Sequence, residues 1–208
     1  MPVIGVVGNK GGAGKTTLTV NLATGLSNQF NVAIVDTDPQ GSSLQWYDIS
    51  DQTSEVDVLP PSENFKGQLA ELSDQYDYVF IDCPPSVHAQ QTDEALSLCH
   101  IALIPVQPSP IDLWATVHIE KAIDEAQEQN PKLKALMIIN QLEPRTKLSR
   151  SVRDVLSEIE LPVAKTSLRR RAVYRNSAIE GKSIFHMGKR GADATEELNK
   201  LIEEIKSL

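Results

Sequence analysis

The stretch Val3-Ile-Gly-Val-Val-Gly-Asn9-Lys10-Gly-Gly-Ala-Gly-Lys15-Thr16-Thr17-Leu18 decides the fold. Its first five residues are an apolar run that reads as a buried strand, and from Lys15 to about Ser27 the chain reads as a helix. Between them lie Gly11, Gly12, Ala13 and Gly14. Glycines at this spacing let consecutive backbone N–H groups turn inward around an anion, and the helix N-terminus that follows faces the same point with its partial positive charge. Lys15 then reaches the β and γ phosphates of a nucleotide as a point charge, Thr16 sets a hydroxyl on Mg²⁺, and Thr17 can bond the α phosphate. The general phosphate-loop pattern has glycine where this chain has Asn9, but the strand–loop–helix context is intact. A glycine turn that binds nothing would not require a lysine and two threonines at these offsets. ATP with Mg²⁺ is the expected ligand.

Working outward, apolar runs recur at Val32–Val35, Val56–Leu59, Tyr78–Ile81, Ile101–Val106 and Leu133–Ile139. Several are nearly continuous Val/Ile/Leu, as strands buried on both faces must be. Helical stretches fall at about Glu63–Leu72, Ile111–Gln129, Leu148–Ile159 and Ala192–Ile205. In the last of these, Leu198, Leu201, Ile202 and Ile205 share one face. Alternating strands and helices imply an α/β, doubly wound, mostly parallel sheet with helices on both faces, a P-loop NTPase fold. No repeat or linker interrupts residues 1–208, so one ATPase domain is expected.

The chain has 208 residues, 40% apolar and 23% charged, which suits a globular protein with no need of a metal or disulfide to fold. The N-terminus lacks a basic leader and reads as strand, so a cytoplasmic protein is expected. Cys83 and Cys99 have no paired spacing and read as buried thiols. A net charge of −8 argues against a whole-surface nucleic-acid binder but leaves room for a local basic patch.

Two further acid-bearing strand ends strengthen the nucleotide reading. Tyr78-Val79-Phe80-Ile81-Asp82 is an apolar strand closing on a carboxylate, a pattern that holds Mg²⁺ through water when it lies downstream of a phosphate loop. Val35-Asp36-Thr37-Asp38-Pro39-Gln40-Gly41 is the other.

Taken together, Lys10-Gly-Gly-Ala-Gly-Lys15-Thr-Thr, the Asp36-Thr-Asp38-Pro-Gln loop and Asp82-Cys-Pro-Pro resemble the ParA/MinD family of deviant Walker A ATPases, and the spacing is closest to its ParA branch. The similarity extends through Ile104-Pro-Val-Gln107-Pro-Ser-Pro110 and Ile138-Ile-Asn140. The resemblance implies a nucleotide-dependent sandwich homodimer with two ATP molecules buried between two phosphate loops. Lys10 would be the signature lysine, reaching the partner's nucleotide as an arginine finger does in trans. Asp38 would orient or deprotonate the attacking water, and Asp36 would touch the Mg²⁺ shell or Lys15. Asn140 would read the adenine edge with its amide, the alternative being a turn residue after a strand.

The resemblance also implies a cargo-positioning cycle, in which the ATP dimer sits on nucleoid DNA without sequence preference and a cargo-bound adaptor stimulates hydrolysis. Plasmid, chromosome locus and protein body such as a carboxysome all remain open as cargo. Basic residues gather late in the chain, at Lys147, Arg150 and Arg153, then Lys165, Arg169, Arg170, Arg171 and Arg175, then Lys182, Lys189 and Arg190. Arg169, Arg170, Arg171, Arg175, Lys189 and Arg190 are the expected DNA contacts, the alternative being an ordinary solvated surface with Arg169 to Arg171 packed against acids such as Glu180. A MinD-like membrane role is the alternative reading. It is disfavoured because the last helix carries Glu196, Glu197, Glu203 and Glu204, which anionic headgroups repel. A cluster-handling role would need more cysteine ligands than two.

Overall fold

A computed structural model describes residues 1–50, 55–144, 146–156 and 158–208. The elements run β1 (Val3–Val6), α1 (Lys15–Ser27), β2 (Val32–Asp36), α2 (Ser42–Ile49), β3 (Asp57–Leu59), α3 (Phe65–Ser73), β4 (Tyr78–Asp82), α4 (Gln90–Leu98), β5 (Ile101–Val106), α5 (Pro110–Gln129), β6 (Lys134–Ile139), α6 (Lys147–Leu156), α7 (Ala172–Ile179) and α8 (Ala192–Lys206). Two short 3₁₀ turns, Ile184–His186 and Gly188–Arg190, join α7 to α8. The strands form one sheet in the order β3-β2-β4-β1-β5-β6, and every pairing is parallel.

Period-two alternation along these strands builds two cores, one on each face. Val3 and Val7, Val79 and Ile81, and Ala102, Ile104 and Val106 pack under α3, α4, α5 and α6. Ile4 and Val6, Phe80, and Ile101 and Leu103 pack on the other face under α1 and α8, with Trp46 of α2 at its side. Because successive strand side chains point to opposite faces, a strand covered on both must be apolar at every position. The apolar face of α8, Leu198, Leu201, Ile202 and Ile205, lies in this second core.

Each expected strand is present to within one residue at either end. The expected helix over Leu148–Ile159 ends at Leu156, and Ser157 lies outside the described residues. Helices α2, α4 and α7 have no counterpart in the sequence reading. In α4 the only buried residues are Thr92, Ala95 and Leu96, and α7 buries only Ser177, so neither displays a helical apolar period. Each has a surface to lie on: α2 rests on β2, β3 and α1, α4 on α5 and β1, and α7 on the first 3₁₀ turn.

The sheet topology fixes where a ligand can sit. The connections leaving the neighbouring strands β1 and β5 run in opposite directions, toward β2 and toward β6. At such a switch point the loops diverge and open a crevice at the carboxyl ends of the strands. The glycine loop occupies it.

One glycine outside that loop holds two helices together. Gly181 has a φ of 62° and ends α7, with its N–H donated to Ala178 and that of Lys182 donated to Ser177. A Cβ at Gly181 would stand 2.6 Å from the Ser50 nitrogen and 2.8 Å from the Ile49 carbonyl carbon, and backbone at the end of α2 cannot swing aside. Gly181→Ala is therefore expected to lower unfolding free energy by about 2–4 kcal/mol, from a left-handed φ plus overpacking. Gly41→Ala meets only Leu44 Cδ1 at 4.0 Å and should lose about 1–2 kcal/mol from its φ alone. Urea midpoints of the two variants would separate these contributions.

Candidate active site

The first helix begins without a side-chain cap. Its N-cap residue is Gly14, at φ 93° and ψ 27°, and its first turn contains no acid. Gly12 is also left-handed, at φ 80°. The loop therefore coils through conformations that residues with a side chain resist, and the first N–H groups of α1 are left to an external anion.

Lys15 lies within this coil and is buried, 7% exposed. Its ammonium donates to the carbonyl of Lys10 at 3.4 Å. Burial pulls its pKa below the usual lysine value, and the charges of Asp82 and Asp38 act against that shift. A buried ammonium held by one long hydrogen bond is suited to receive a polyanion.

Beside it, Asp82 at the end of β4 is fully buried. Its Oδ2 accepts hydroxyl protons from Thr16 at 2.7 Å and from Ser43 at 2.8 Å. Its Oδ1 is buried with no partner among the described residues. Burial raises the Asp82 carboxyl to about 6, and the two hydroxyls hold it from rising further. An orphaned buried carboxylate oxygen next to a threonine hydroxyl fits a hydrated divalent cation, which supplies the positive charge the pocket lacks. The expected pair Thr16 and Asp82 is thus brought together.

Asp36 is different. Its Oδ2 accepts the N–H groups of Ser43 at 2.8 Å and Leu44 at 3.1 Å, and its Oδ1 accepts that of Asp38 at 3.2 Å. Its oxygens take three backbone donors and cap α2 from a distance in sequence, and its charge acts on the neighbouring Asp82. Burial still pushes its pKa up. Asp38 is half-exposed at the start of the following turn. Its Oδ1 accepts from Gln40 at 2.9 Å, and its carbonyl accepts from Gly41.

Asn140 sits at the loop. Its amide nitrogen donates to the Ala13 carbonyl at 2.8 Å and its amide oxygen accepts from the Gln141 N–H at 2.9 Å, which leaves the amide a second N–H and a second lone pair. Gly14 passes so close that a Cβ there would lie 2.5 Å from the Asn140 amide nitrogen.

A cavity of about 290 Å³ opens next to the loop, lined by Gly14, Thr17 and Asn140 on one side and by Leu168, Tyr174 and Leu198 on another. Arg169, Arg170, Arg171 and Arg175 line its rim. These four expected DNA contacts therefore border the loop cavity, while Lys189 and Arg190 lie apart on the second 3₁₀ turn, exposed. Glu180 pairs with Lys182 and feels the charge of Arg190, whereas the arginines at the cavity meet other acids. Arg171 bridges Asp193 at 3.2 Å and Glu197 at 2.7 Å, Arg169 reaches Glu197 at 3.6 Å, and Arg170 reaches Glu143 at 2.7 Å. Of the other basic residues, Arg153 donates to the carbonyls of Ala164 and Lys165, whereas the side chains of Lys147 and Arg150 lie outside those described.

Three contributors escaped the sequence reading. Ser43 joins Asp82 to the capped end of α2, and Gln107 and Gln141 reach the loop from β5 and β6. Gln107 lies within one segment already singled out as motif-bearing, Asn140 closes another, and Gln141 follows it directly. Polar residues at the carboxyl ends of adjacent strands were the available signal. Cys83 and Cys99 are buried in the core, where burial lifts the first thiol well above its usual value and the second to about 12. Both stay protonated, and among the described residues no group of three His, Cys, Asp or Glu side chains could hold a metal.

Comparison with known proteins agrees with this geometry. Residues 4–184 match the CobQ/CobB/MinD/ParA nucleotide binding domain. The maintenance of carboxysome distribution protein A of Halothiobacillus neapolitanus is 40% identical over 209 residues, covering 97% of this chain and 95% of that protein. A plasmid partition protein of Borrelia burgdorferi B31 bound to AMPPNP superposes with a TM-score of 0.79 at 19% identity, covering 100% of this chain and 99% of that one. The cobyrinic acid a,c-diamide synthase of Mycobacterium smegmatis with bound ADP and magnesium gives a TM-score of 0.76 at 25% identity, over 99% and 96% of the two chains. On the family match across most of its length and the 40% identical relative, the chain belongs to the CobQ/CobB/MinD/ParA nucleotide-binding family.

Proposed function

We propose that this chain is a ParA-type positioning ATPase, acting as one domain over residues 1–208, whose cargo is a carboxysome. The observation that carries the ATPase reading is the juxtaposition of buried Lys15, the Thr16–Asp82 pair and Asp38 around an uncapped helix N-terminus. Support for the cargo comes from the Halothiobacillus protein's name together with 40% identity along nearly the full length of both chains.

In this reading Gly11, Gly12, Ala13, Gly14, Lys15 and Thr17 hold the phosphates of ATP, while Thr16 and Asp82 hold Mg²⁺. The cation, when bound, offsets charge on the β and γ phosphates. Lys15 contributes a desolvated positive charge at the same place, and Asp38 accepts a proton from or orients the attacking water. Lys10 completes the site of a second copy, so that association and nucleotide occupancy become one event. Asp36 holds the Asp38 turn to α2 and stands beside Asp82 at the edge of the Mg²⁺ shell, and Asn140 reads the adenine edge.

The proposed cycle runs in the cytoplasm, with the ATP dimer on nucleoid DNA and a carboxysome-bound adaptor stimulating hydrolysis. For DNA, Lys189 and Arg190 and the exposed Arg175 carry more weight than Arg169, Arg170 and Arg171, whose charges are already opposed by Glu197, Glu143 and Asp193. Lys189 and Arg190 approach α8, and pairing two protomers would double them. The MinD-like alternative loses ground because the apolar face of α8 is buried against the sheet and is not offered to a lipid surface.

Two outcomes are expected. In cells with fluorescently marked carboxysomes, replacing the protein by Lys15→Ala should collapse regular spacing into clusters, and the purified variant should hydrolyse no ATP. Regular spacing with this variant would remove the reading. The second concerns the cost of building the cation site. Asp82 titrates near 6 in the fold against 3.8 when unperturbed, so without ligands the folded state is weakened as pH rises from about 4 through 6. The loss is about 3 kcal/mol and stays in force above that range. Asp82→Asn should therefore be at least as stable as the wild type at pH 8 without nucleotide, yet gain little from Mg²⁺ and ATP. Thermal midpoints with and without ligand test both halves.

A further inference from the structure

Three side-chain amides converge on two consecutive carbonyls of the glycine loop. Gln107, just beyond β5, donates to the Gly12 carbonyl at 2.6 Å. Gln141 donates to the same oxygen at 3.1 Å, and Asn140 donates to the Ala13 carbonyl at 2.8 Å. A peptide unit is planar and trans, so the carbonyl of one residue and the N–H of the next point in opposite directions. Holding the Gly12 and Ala13 carbonyls toward β5 and β6 thereby turns the N–H groups of Ala13 and Gly14 the other way, onto one shared face.

Gln141 is the only non-glycine residue with positive φ among those described, at 55°. The conformation has a consequence for reach. Along an extended strand, residues 140 and 141 would point to opposite sides. The left-handed turn at Gln141 breaks that alternation and brings both amides to the loop. A side chain in this backbone region is strained, and such strain persists where surrounding contacts over-determine it. Here the contacts are the Gly12 carbonyl and the Asn140 amide oxygen, which accepts the Gln141 N–H at 2.9 Å.

We propose that Gln107, Asn140 and Gln141 form an amide clamp that presets the phosphate loop, holding its carbonyls outward so that its N–H groups are already directed at an incoming phosphate. They are positioning residues. The proposal rests on the reading that this loop holds the phosphates of ATP, and it adds a loop-holding contact for Asn140 to the base-reading role, since a primary amide has a second N–H to give. Apart from the clamp, a loop with three glycines would sample many conformations and lose that freedom on binding.

The test separates a role in the loop from a role in the fold. Gln141→Gly removes one amide and also relieves the left-handed strain, while Gln107→Glu keeps size and shape but sets a carboxylate against a carbonyl. Isothermal titration with ATP and Mg²⁺ should show Gln141→Gly binding about 3- to 10-fold more weakly, the equivalent of one hydrogen bond, with a melting temperature equal to or above the wild type. Gln107→Glu should bind more weakly still at an unchanged melting temperature. If both variants bind ATP as the wild type does, the clamp is overturned. It is equally overturned if Gln141→Gly loses stability in step with affinity, which would assign Gln141 to the fold. A wild-type protein that binds no ATP while remaining folded would instead remove the underlying ATPase reading.

Discussion

Every peptide unit carries a donor and an acceptor, and a loop that offers its donors to an anion must settle its acceptors elsewhere. The glycine loop meets this constraint by leaning its carbonyls on side chains from β5 and β6. The remaining site geometry follows from that placement. It requires β5 and β6 to lie on the side of β1 away from β2 and β4, which is the strand order observed. It also requires residue 14 to lack a Cβ, because the Asn140 amide occupies that space.

On the other side of β1 a carboxylate network ties the nucleotide side of the site to α2. Asp82 is joined to Thr16 at the start of α1 and to Ser43 at the start of α2, and Asp36 takes two N–H groups of that same helix. Thr16 and Ser43 donate to the same carboxylate oxygen, so the starts of α1 and α2 share one acceptor. The network thus joins the start of α1 to a helix that lies over the sheet edge. Holding Asp82 and Lys15 in the dry interior costs stability in the ligand-free chain, and the same desolvation strengthens their attraction to a charged ligand.

Much of this was legible in the sequence, for identifiable reasons. Strands buried on both faces are apolar at every position, so Val3–Val6 and Ile101–Val106 announce themselves. The phosphate loop was legible because its glycines and Lys15 have no structural reason to occur at that spacing. Helices α4 and α7 were not, since each buries too few residues to show a period. Nor were the backbone contacts of Asp36 and Asn140, because an acid or amide at a strand end does not show in sequence which distant backbone it meets. The Arg169–Arg171 run read as a basic face because its partners, Glu143, Asp193 and Glu197, are more than twenty residues distant in sequence. Only the fold brings their charges together.

The central claim is that phosphate occupancy of this loop controls the association of two chains, with Lys10 as the link. It is tested most directly by the molar mass of the purified wild-type protein in solution, measured by light scattering with Mg²⁺ and either ATP or ADP. The expected result is the mass of two chains with ATP and of one chain with ADP. A single-chain mass in saturating ATP, or the same two-chain mass in both nucleotides, would contradict it.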